Sequence, residues 1–268
     1  MNVALRLQSY GVEVSMVSSV GDDKEGNKII NYLGNSGVNT DGIQISPNYG
    51  TGQVNVVLND KGVASYDIAY PVAWDKILPR KYYESQLKIS DIFIYGSLAC
   101  RDNTSRTTLK QLLHVAQYKV FDVNLRAPHY TKEILLELMQ PANFVKFNDD
   151  ELYEVAGYLG SKYNSMEQTI AFVAEKTQTE TICVTKGAYG AVLYHQKIFY
   201  YNSGYRIKVL DTVGSGDSFL ASVIYKLFSG EGPQAAINFG CAVGAMVAKS
   251  EGANPIFTMQ KISRFMNP

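Results

Sequence analysis

Four short apolar runs in the middle of the chain constrain the fold more than any other feature of the sequence. Each is four or five residues long, and the stretches between them have the length of a helix with its connections. Strands buried on both faces produce such runs, and a parallel neighbour is reached only through a long crossover, usually helical. The pattern therefore predicts a doubly wound, mainly parallel α/β fold. The runs are residues 92–95, 120–123, 144–147 and 181–185.

The sequence before these runs has a different periodicity. Residues 51–58 and 63–68 alternate between apolar and polar side chains around a polar turn at 59–62, which predicts a β-hairpin. We therefore expect residues 38–70 to form a small β lid, inserted into a core made of residues 1–37 and 71–268. The same reasoning predicts a strand at 12–18, a helix at 24–34, and two C-terminal helices at about 216–229 and 233–249.

Composition limits the classes of partner. The 268 residues are 46% hydrophobic and 19% charged, which is enough for a large core. The formal net charge is zero and Lys and Arg form no run, so we expect a small-molecule ligand rather than nucleic acid or a membrane. Three cysteines lie far apart, which predicts no disulfide framework and no zinc site, and favours a cytoplasmic location. The sequence shows neither a signal peptide nor a membrane-spanning stretch.

Residues 211–218, Asp-Thr-Val-Gly-Ser-Gly-Asp-Ser, indicate the chemistry. Gly214, Ser215 and Gly216 let backbone N–H groups converge, and the apolar run that follows supplies a helix whose positive end faces the same point. Such a turn suits a phosphate, and Asp217 at its mouth suits a base that takes the proton of an attacking alcohol. A plain helix start with a flexible glycine turn is the alternative, but it does not explain the second aspartate.

Polar residues also follow the apolar runs, where the strands of an open parallel sheet bring ligands together. Taken singly, each has a structural alternative as a turn residue, a first-turn helix acid, a surface charge or a hairpin turn. Taken together, they predict a site suited to phosphate and metal. These residues include Gly96, Asp122, Asn124, Arg126, Asn148, Glu151, Thr185, Gly187 and Gly190.

With these residues the chain resembles the PfkB/ribokinase family of carbohydrate kinases, and most of all its bacterial fructokinases. The family's C-terminal signature, Asp-Thr-x-Gly-Ala-Gly-Asp, corresponds to residues 211–217, with Ser215 in place of the commoner Ala. The end of the N-terminal signature corresponds to Asn2, Ala4, Gly11 and Gly21. The motifs at 122–126, 148–151 and 185–190 match family positions as well.

The resemblance implies ATP-dependent phosphorylation of a sugar hydroxyl, with fructose as the expected sugar. It implies that Asp217 is the base, that Gly214, Ser215 and Gly216 form the anion hole, and that Arg126 stabilises the transferred group or touches the sugar. The implied sugar contacts are Asn2, Gly96, Asp122, Asn124, Arg126 and Asp217. The implied contacts to ATP and its ions are Asn148, Glu151, Thr185, Gly187, Gly190, Asp211, Thr212 and Asn238. Among these, Asn148 and Glu151 would hold Mg²⁺ through water, and Asp211 would lie near a monovalent cation such as K⁺.

One part of the family pattern is missing. The family normally begins with a strand that ends in a sugar-binding Asp, followed by a Gly-Gly pair ahead of the position of Asn2. Weakened sugar binding is therefore expected, and two alternatives stay open: a functional kinase with a clipped start, and an impaired relative that binds nucleotide or sugar without turnover. Ribose, 2-keto-3-deoxygluconate and a nucleoside also stay open as acceptors. Lid hairpins of the family often pair between subunits, which implies a homodimer.

Overall fold

The computed structural model of the protein describes residues 1–58 and 64–267. Strands alternate with helices along most of the chain. The helices are α1 (Asn2–Gln8), α2 (Lys24–Asn35), α3 (Lys81–Ile89), α4 (Asn103–Val115), α5 (Lys132–Met139), α6 (Asp149–Tyr158), α7 (Met166–Thr177), α8 (Ser215–Phe228), α9 (Pro233–Ala248) and α10 (Met259–Met266). The strands are β1 (Ser18–Gly21), β2 (Ile43–Ser46), β3 (Val54–Leu58), β4 (Ala64–Ile68), β5 (Ile92–Gly96), β6 (Tyr118–Asp122), β7 (Phe144–Asn148), β8 (Thr181–Thr185), β9 (Ala191–His195) and β10 (Ile198–Asn202).

The chain divides into two compact units, each built from separate segments. The first unit contains Met1–Glu13, Ile92–Leu98 and Tyr118–Pro268, and the second contains Val14–Asp91 and Ala99–Gln117. The predicted division into a core of residues 1–37 and 71–268 and a lid of residues 38–70 stays a prediction.

A six-stranded sheet organises the first unit, with the strand order β10-β9-β8-β7-β6-β5. Strands β5 to β8 run parallel and correspond to the four apolar runs, whereas β9 and β10 extend the sheet as antiparallel strands. The prediction of a mainly parallel sheet is therefore confirmed.

Helices cover both faces of this sheet. Successive residues of a strand point to opposite faces of the sheet, so the side chains of Val120 and Phe121 in β6 lie on opposite faces. Val120 belongs to the hydrophobic cluster that contains Phe219 of α8. Phe121 stacks on Tyr95 of β5 with the ring centroids 5.1 Å apart, and the Tyr95 hydroxyl donates to the carbonyl of Leu138 on α5 at 2.7 Å. This is the doubly wound arrangement that the sequence predicts.

The two long C-terminal helices pack closely on each other. Gly240 of α9 permits the approach, because a Cβ at that position would lie 2.5 Å from a methyl carbon of Val223 on α8. The bounds of α8 and α9 agree with the predicted helices to within one residue at each end.

The second unit contains two small pairs of strands. β1 and β2 are parallel, and β3 and β4 are antiparallel with Val54 opposite Ile68. The hairpin prediction is confirmed for its strands, while the predicted turn at 59–62 lies outside the described residues. The strand predicted at 12–18 is wrong in position, because β1 covers Ser18–Gly21. The earlier part of the predicted strand makes an isolated parallel bridge between Ser15 and Asn39, and Val12 and Val14 are half-buried whereas residues 19–21 are buried.

Arg101 holds the chain just after β4. Its guanidinium donates to the carboxylate of Asp75 at 2.7 and 2.8 Å and to the carbonyls of Ile68 and Ala69. It also lies 4.0 Å from the centroid of the Trp74 ring, at cation–π distance. The end of the hairpin is thus fixed by a buried ion pair inside the second unit. None of the helices in the described part of the chain combines the length and apolarity needed to cross a bilayer.

Candidate active site

The turn before α8 has the geometry that an anion site requires. Gly214 precedes the helix with φ 77°, in the left-handed region, and a Cβ there would lie 2.5 Å from the carbonyl oxygen of Ala253. Only glycine therefore fits. Because Gly214 carries no side chain to cap the helix, first-turn N–H groups remain available to an anion at the positive end of α8.

Asp217 lies in the first turn of α8 and is half-buried. Its Oδ2 atom accepts a hydrogen bond of 2.8 Å from the side-chain amide of Asn2 at the start of α1. Sequence reasoning assigned Asn2 to the sugar, and the structure places it on the predicted base. One carboxylate oxygen is thereby held, and Oδ1 is left to take a proton.

A buried ion pair crosses the sheet beside this turn. Asp122 ends β6, Lys146 lies opposite it on β7, and their Oδ1 and Nζ atoms are 2.9 Å apart. The two side chains are only 9% and 8% exposed. Gly96 of β5 is in register with Asp122, so the three residues form one row across the sheet.

Lys146 is surrounded by acidic groups. Burial alone would lower its pKa, but the attraction and hydrogen bond of Asp122, followed by the charges of Glu151 and Asp217, raise the pKa of Lys146 above its ordinary value. A Cβ placed on Gly216 would lie 3.6 Å from Nζ. The ammonium therefore lies against the first turn of α8 and keeps its charge.

Asn148 and Glu151 form a capping box at the start of α6. The Asn148 side chain accepts from the Glu151 amide and the Glu151 side chain accepts from the Asn148 amide, both at 2.8 Å. The second carboxylate oxygen of Glu151 accepts from the Leu125 amide at 2.9 Å. Burial raises the pKa of Glu151, against the opposing effects of these backbone donors and of Lys146. The structural alternative for Glu151, a first-turn helix acid, is thus present, and the magnesium role stays a prediction.

The loop after β6 carries two further predicted residues. Asn124 has φ 39°, a left-handed conformation that Asn adopts more readily than most residues. Arg126 is exposed, its guanidinium donates to the Leu125 carbonyl at 2.8 Å, and its charge acts on Asp122. Their sugar contacts stay predictions.

The predicted nucleotide residues lie along the β8–β9 turn and nearby segments. Thr185 donates to the Phe147 carbonyl at 3.3 Å, and Gly187 and Gly190 both have positive φ. A Cβ on Gly190 would overlap the carbonyl of Asn202, whose side chain donates to Asn238 of α9 at 2.9 Å. The structure therefore brings Gly190 and Asn238 into one neighbourhood, as their shared assignment to ATP requires.

Asp211 and Thr212 precede the glycine turn. Asp211 accepts from the Val213 amide at 2.9 Å, and the Thr212 carbonyl accepts from the Ser215 amide at 3.2 Å. Both residues shape the turn, while their contacts to ATP or a cation stay predictions. Among the described residues, no group of three or more His, Cys, Asp and Glu side chains is arranged to hold a metal ion.

A protein-family model identifies the family to which the chain belongs. The model for the pfkB family carbohydrate kinases matches residues 1–259. The chain belongs to the pfkB family of carbohydrate kinases. This carbohydrate kinase is therefore a phosphotransferase with an alcohol acceptor, and the family resemblance seen in the sequence is confirmed.

Named relatives extend the comparison. Fructokinase-2 of Solanum habrochaites is 25% identical over 271 residues, which covers 95% of this chain and 81% of that protein. A fructokinase from Vibrio cholerae O395, crystallised with fructose, ADP and calcium ion, superposes with a TM-score of 0.83 at 22% identity and covers 99% of this chain and 89% of its own. A fructokinase from Xylella fastidiosa with bound ATP gives a TM-score of 0.86 at 21% identity, covering 99% and 88%. The two structures establish the shared fold.

All the predicted site residues of the kinase belong to the first compact unit. Sequence reasoning missed Lys146, which lies at the centre of the acidic residues. A signal was present, because Lys146 interrupts the apolar run 144–147 of a strand that is buried along most of its length. A charged residue in such a strand needs a partner, and the parallel register supplies Asp122.

Proposed function

We propose that this carbohydrate kinase transfers the γ-phosphoryl group of ATP to a hydroxyl of fructose. The observation that carries the proposal is the Asp217 carboxylate in the first turn of α8, directly after a glycine turn that is open to an anion. Fructose as the acceptor is supported by the relatives named fructokinase, and ATP is supported by the nucleotide-bound neighbours.

Asp217 acts as the base in the proposed mechanism. The hydrogen bond from Asn2 holds Oδ2, and Oδ1 takes the proton of the attacking hydroxyl. The oxygen of that hydroxyl bonds to the γ-phosphorus while the bond to the β-phosphate oxygen breaks, and ADP leaves. The first-turn amides of α8 and the ammonium of Lys146 stabilise the negative charge of the transferring group. Arg126, exposed beside this site, stabilises the same group or contacts the sugar.

Mg²⁺ is the proposed metal, held with the phosphates of ATP. Asn148 and Glu151 provide oxygen donors, which suit this ion, and each carboxylate oxygen of Glu151 that accepts a backbone N–H retains a second lone pair for a metal-bound water. When bound, Mg²⁺ would neutralise charge on the β- and γ-phosphates. Asp211 is the proposed neighbour of a monovalent cation such as K⁺.

Turnover with a panel of acceptors tests the function. ADP release with Mg-ATP is measured for fructose, ribose, 2-keto-3-deoxygluconate and a nucleoside, beside an Asp217→Asn control. Fructose-dependent ADP release that the control lacks supports the proposal. Turnover of another acceptor and not of fructose would show that fructose is not the substrate. Nucleotide binding without turnover of any acceptor would indicate a nucleotide-binding protein without kinase activity.

A homodimer through the β3–β4 hairpin is also proposed. Within the described residues these two strands pair only with each other, so their outer edges are available to a strand of a second copy. Light scattering that reports a monomer would refute the dimer. The cytoplasmic location stays a prediction.

A further inference from the structure

The predicted base stands at the end of a chain of two side-chain amides. Asn254, in the segment after α9, donates from Nδ2 to the side-chain oxygen of Asn2 at 2.9 Å. Asn2 in turn donates from its own Nδ2 to Oδ2 of Asp217 at 2.8 Å. All three residues belong to the first compact unit. A residue 37 positions after the base in the sequence is thus connected to it through one intermediate.

The carboxylate fixes the direction of both amides. An ionised Asp217 only accepts hydrogen bonds, so the atom of Asn2 that faces it must be the NH₂ group. The oxygen of Asn2 then faces Asn254, which must present its own NH₂ group. The Oδ1 atom of Asn254 is left buried, with no hydrogen-bond partner among the described residues. Burying an unsatisfied oxygen is unfavourable, so this arrangement is maintained against a local penalty.

A second connection fixes the same three segments. Arg6 lies four residues after Asn2 on α1, so both side chains share one face of that helix. Its guanidinium donates to the Ser218 hydroxyl at 3.2 Å and to the Pro255 carbonyl at 2.8 Å, and the residue is only 3% exposed. Ser218 and Pro255 directly follow Asp217 and Asn254. α1 therefore connects the segment around Asn254 to the start of α8 twice. Asn2 contacts Asn254 and Asp217, and Arg6 contacts the next residue in each segment.

We propose that Asn254 is a positioning residue for phosphoryl transfer. It fixes the amide of Asn2 in the orientation that donates to Asp217, and this keeps Oδ1 of the base directed to the acceptor hydroxyl. Asn254 acts through Asn2, because its Nδ2 atom donates to the side-chain oxygen of Asn2 and its Oδ1 atom is buried. The inference rests on the proposed function of Asp217 as the base.

Substitutions of Asn254 separate this role from simple packing. Asn254→Asp has nearly the same shape but cannot donate, so two carboxylates compete for the single NH₂ group of Asn2 and the hydrogen bond to Asp217 is no longer fixed. Asn254→Leu removes both polar atoms. The matched control is Asn267→Leu, at the exposed end of α10, where the side chain donates a long hydrogen bond of 3.4 Å to the carbonyl of Ser263. Circular dichroism verifies that each variant is folded.

Steady-state kinetics give the first readout. We expect kcat to fall about tenfold in Asn254→Asp and in Asn254→Leu, with the KM for ATP within about twofold of the parent, because a misdirected base slows the chemical step alone. Asn267→Leu should match the parent. In an Asn2→Ala background, Asn254→Leu should change kcat no further, since its intermediary is already gone. An unchanged kcat in both folded Asn254 variants, or effects that multiply in the double variant, would overturn the proposal.

Nuclear magnetic resonance of ¹⁵N-asparagine-labelled protein gives a readout that does not need activity. The side-chain amide protons of Asn2 should exchange with solvent markedly faster in Asn254→Leu than in the parent and in Asn267→Leu. If the exchange rate of the Asn2 side-chain amide protons is unchanged in Asn254→Leu, the proposal is overturned whatever the kinetic measurements show. A different result is that the parent protein phosphorylates no acceptor while the Asn2 amide protons still exchange faster in Asn254→Leu. That result would overturn the proposed kinase function but not the finding that Asn254 fixes the side chain of Asn2.

Discussion

Lys146→Met tests whether the buried ion pair between Asp122 and Lys146 stabilises the protein as its geometry indicates. The side chains of Lys146 and Asp122 are each less than a tenth exposed, so water screens their 2.9 Å ion pair little. Removing one partner of a buried pair leaves an uncompensated charge, which costs about 3–5 kcal/mol. Glu151 and Asp217 also lose a nearby positive charge. The loss is a large fraction of a typical unfolding free energy of about 5–15 kcal/mol.

The measurement is urea unfolding followed by circular dichroism at pH 8 and pH 5. At pH 8 we expect Lys146→Met to lower the unfolding free energy by about 3–5 kcal/mol. The loss should be smaller at pH 5, because burial raises the pKa of Asp122 and the fraction of Asp122 that is protonated, and so leaves no unpaired charge, grows as the pH falls. The double variant Lys146→Met/Asp122→Leu should recover to within about 1–2 kcal/mol of the parent, since an apolar pair of similar volume replaces the ion pair.

The matched control is Lys28→Met. Lys28 forms a 2.9 Å ion pair with Glu25 at the surface, where both side chains are at least half exposed, and its removal should cost less than about 1 kcal/mol. A Lys146→Met variant no less stable than this control would refute the reasoning. So would a double variant as unstable as the single one. The double variant should still be a poor kinase, because restored stability does not restore the positive charge beside the first turn of α8.

Three further predictions follow from the same unit. Asp217→Asn should lower kcat about a hundredfold or more with little change in ATP affinity, and a fully active variant in the coupled ADP assay would remove the base assignment. Gly190→Ala should destabilise the protein by roughly 2 kcal/mol or more, because the added Cβ overlaps the Asn202 carbonyl. The control is Gly160→Ala, where φ is 85° and no atom lies within 4 Å of the added Cβ, so the cost should be about 1 kcal/mol. Equal melting temperatures for the two variants would contradict the clash at Gly190. Burial raises the pKa of Glu151 above 4.5, so the native state holds that proton more tightly than the unfolded state, and stability falls as pH rises from 4.5 through the raised pKa. Glu151→Gln should flatten that fall in urea titrations between pH 4 and 8, and an unaltered slope would show that another group causes it.

The sequence predicts those parts of the kinase that depend on local pattern. The apolar runs predict the parallel strands, alternation predicts the strands of the hairpin, and the glycines of residues 211–218 predict the turn before α8. In each case residues that are close together in the sequence determine the local structure. The strand at 12–18 is wrong for the complementary reason, since β-branched residues also favour extended chain at the surface, and only the fold decides which residues are buried.

The sequence does not reveal which polar residues face each other. Lys146 and Asp122 are 24 positions apart, and their pairing depends on the register of β6 and β7. Asn254 belongs to no recognisable motif, and its connection to Asp217 runs through a helix at the other end of the chain. Asn148 and Glu151 show the opposite problem, because one pair of residues fits both a capping box and a metal site and the pattern alone cannot separate the two roles.

The bracing of α8 by α1 has a consequence for how the protein folds during synthesis. The hydrogen bonds of Asn2 to Asp217 and to Asn254 join residues 215 and 252 positions apart. A ribosome must therefore make nearly all of the first compact unit before the base can meet its partner. The second unit needs nothing beyond residue 117. Contacts between such distant residues form slowly, so the candidate active site should be among the last parts of the kinase to assemble.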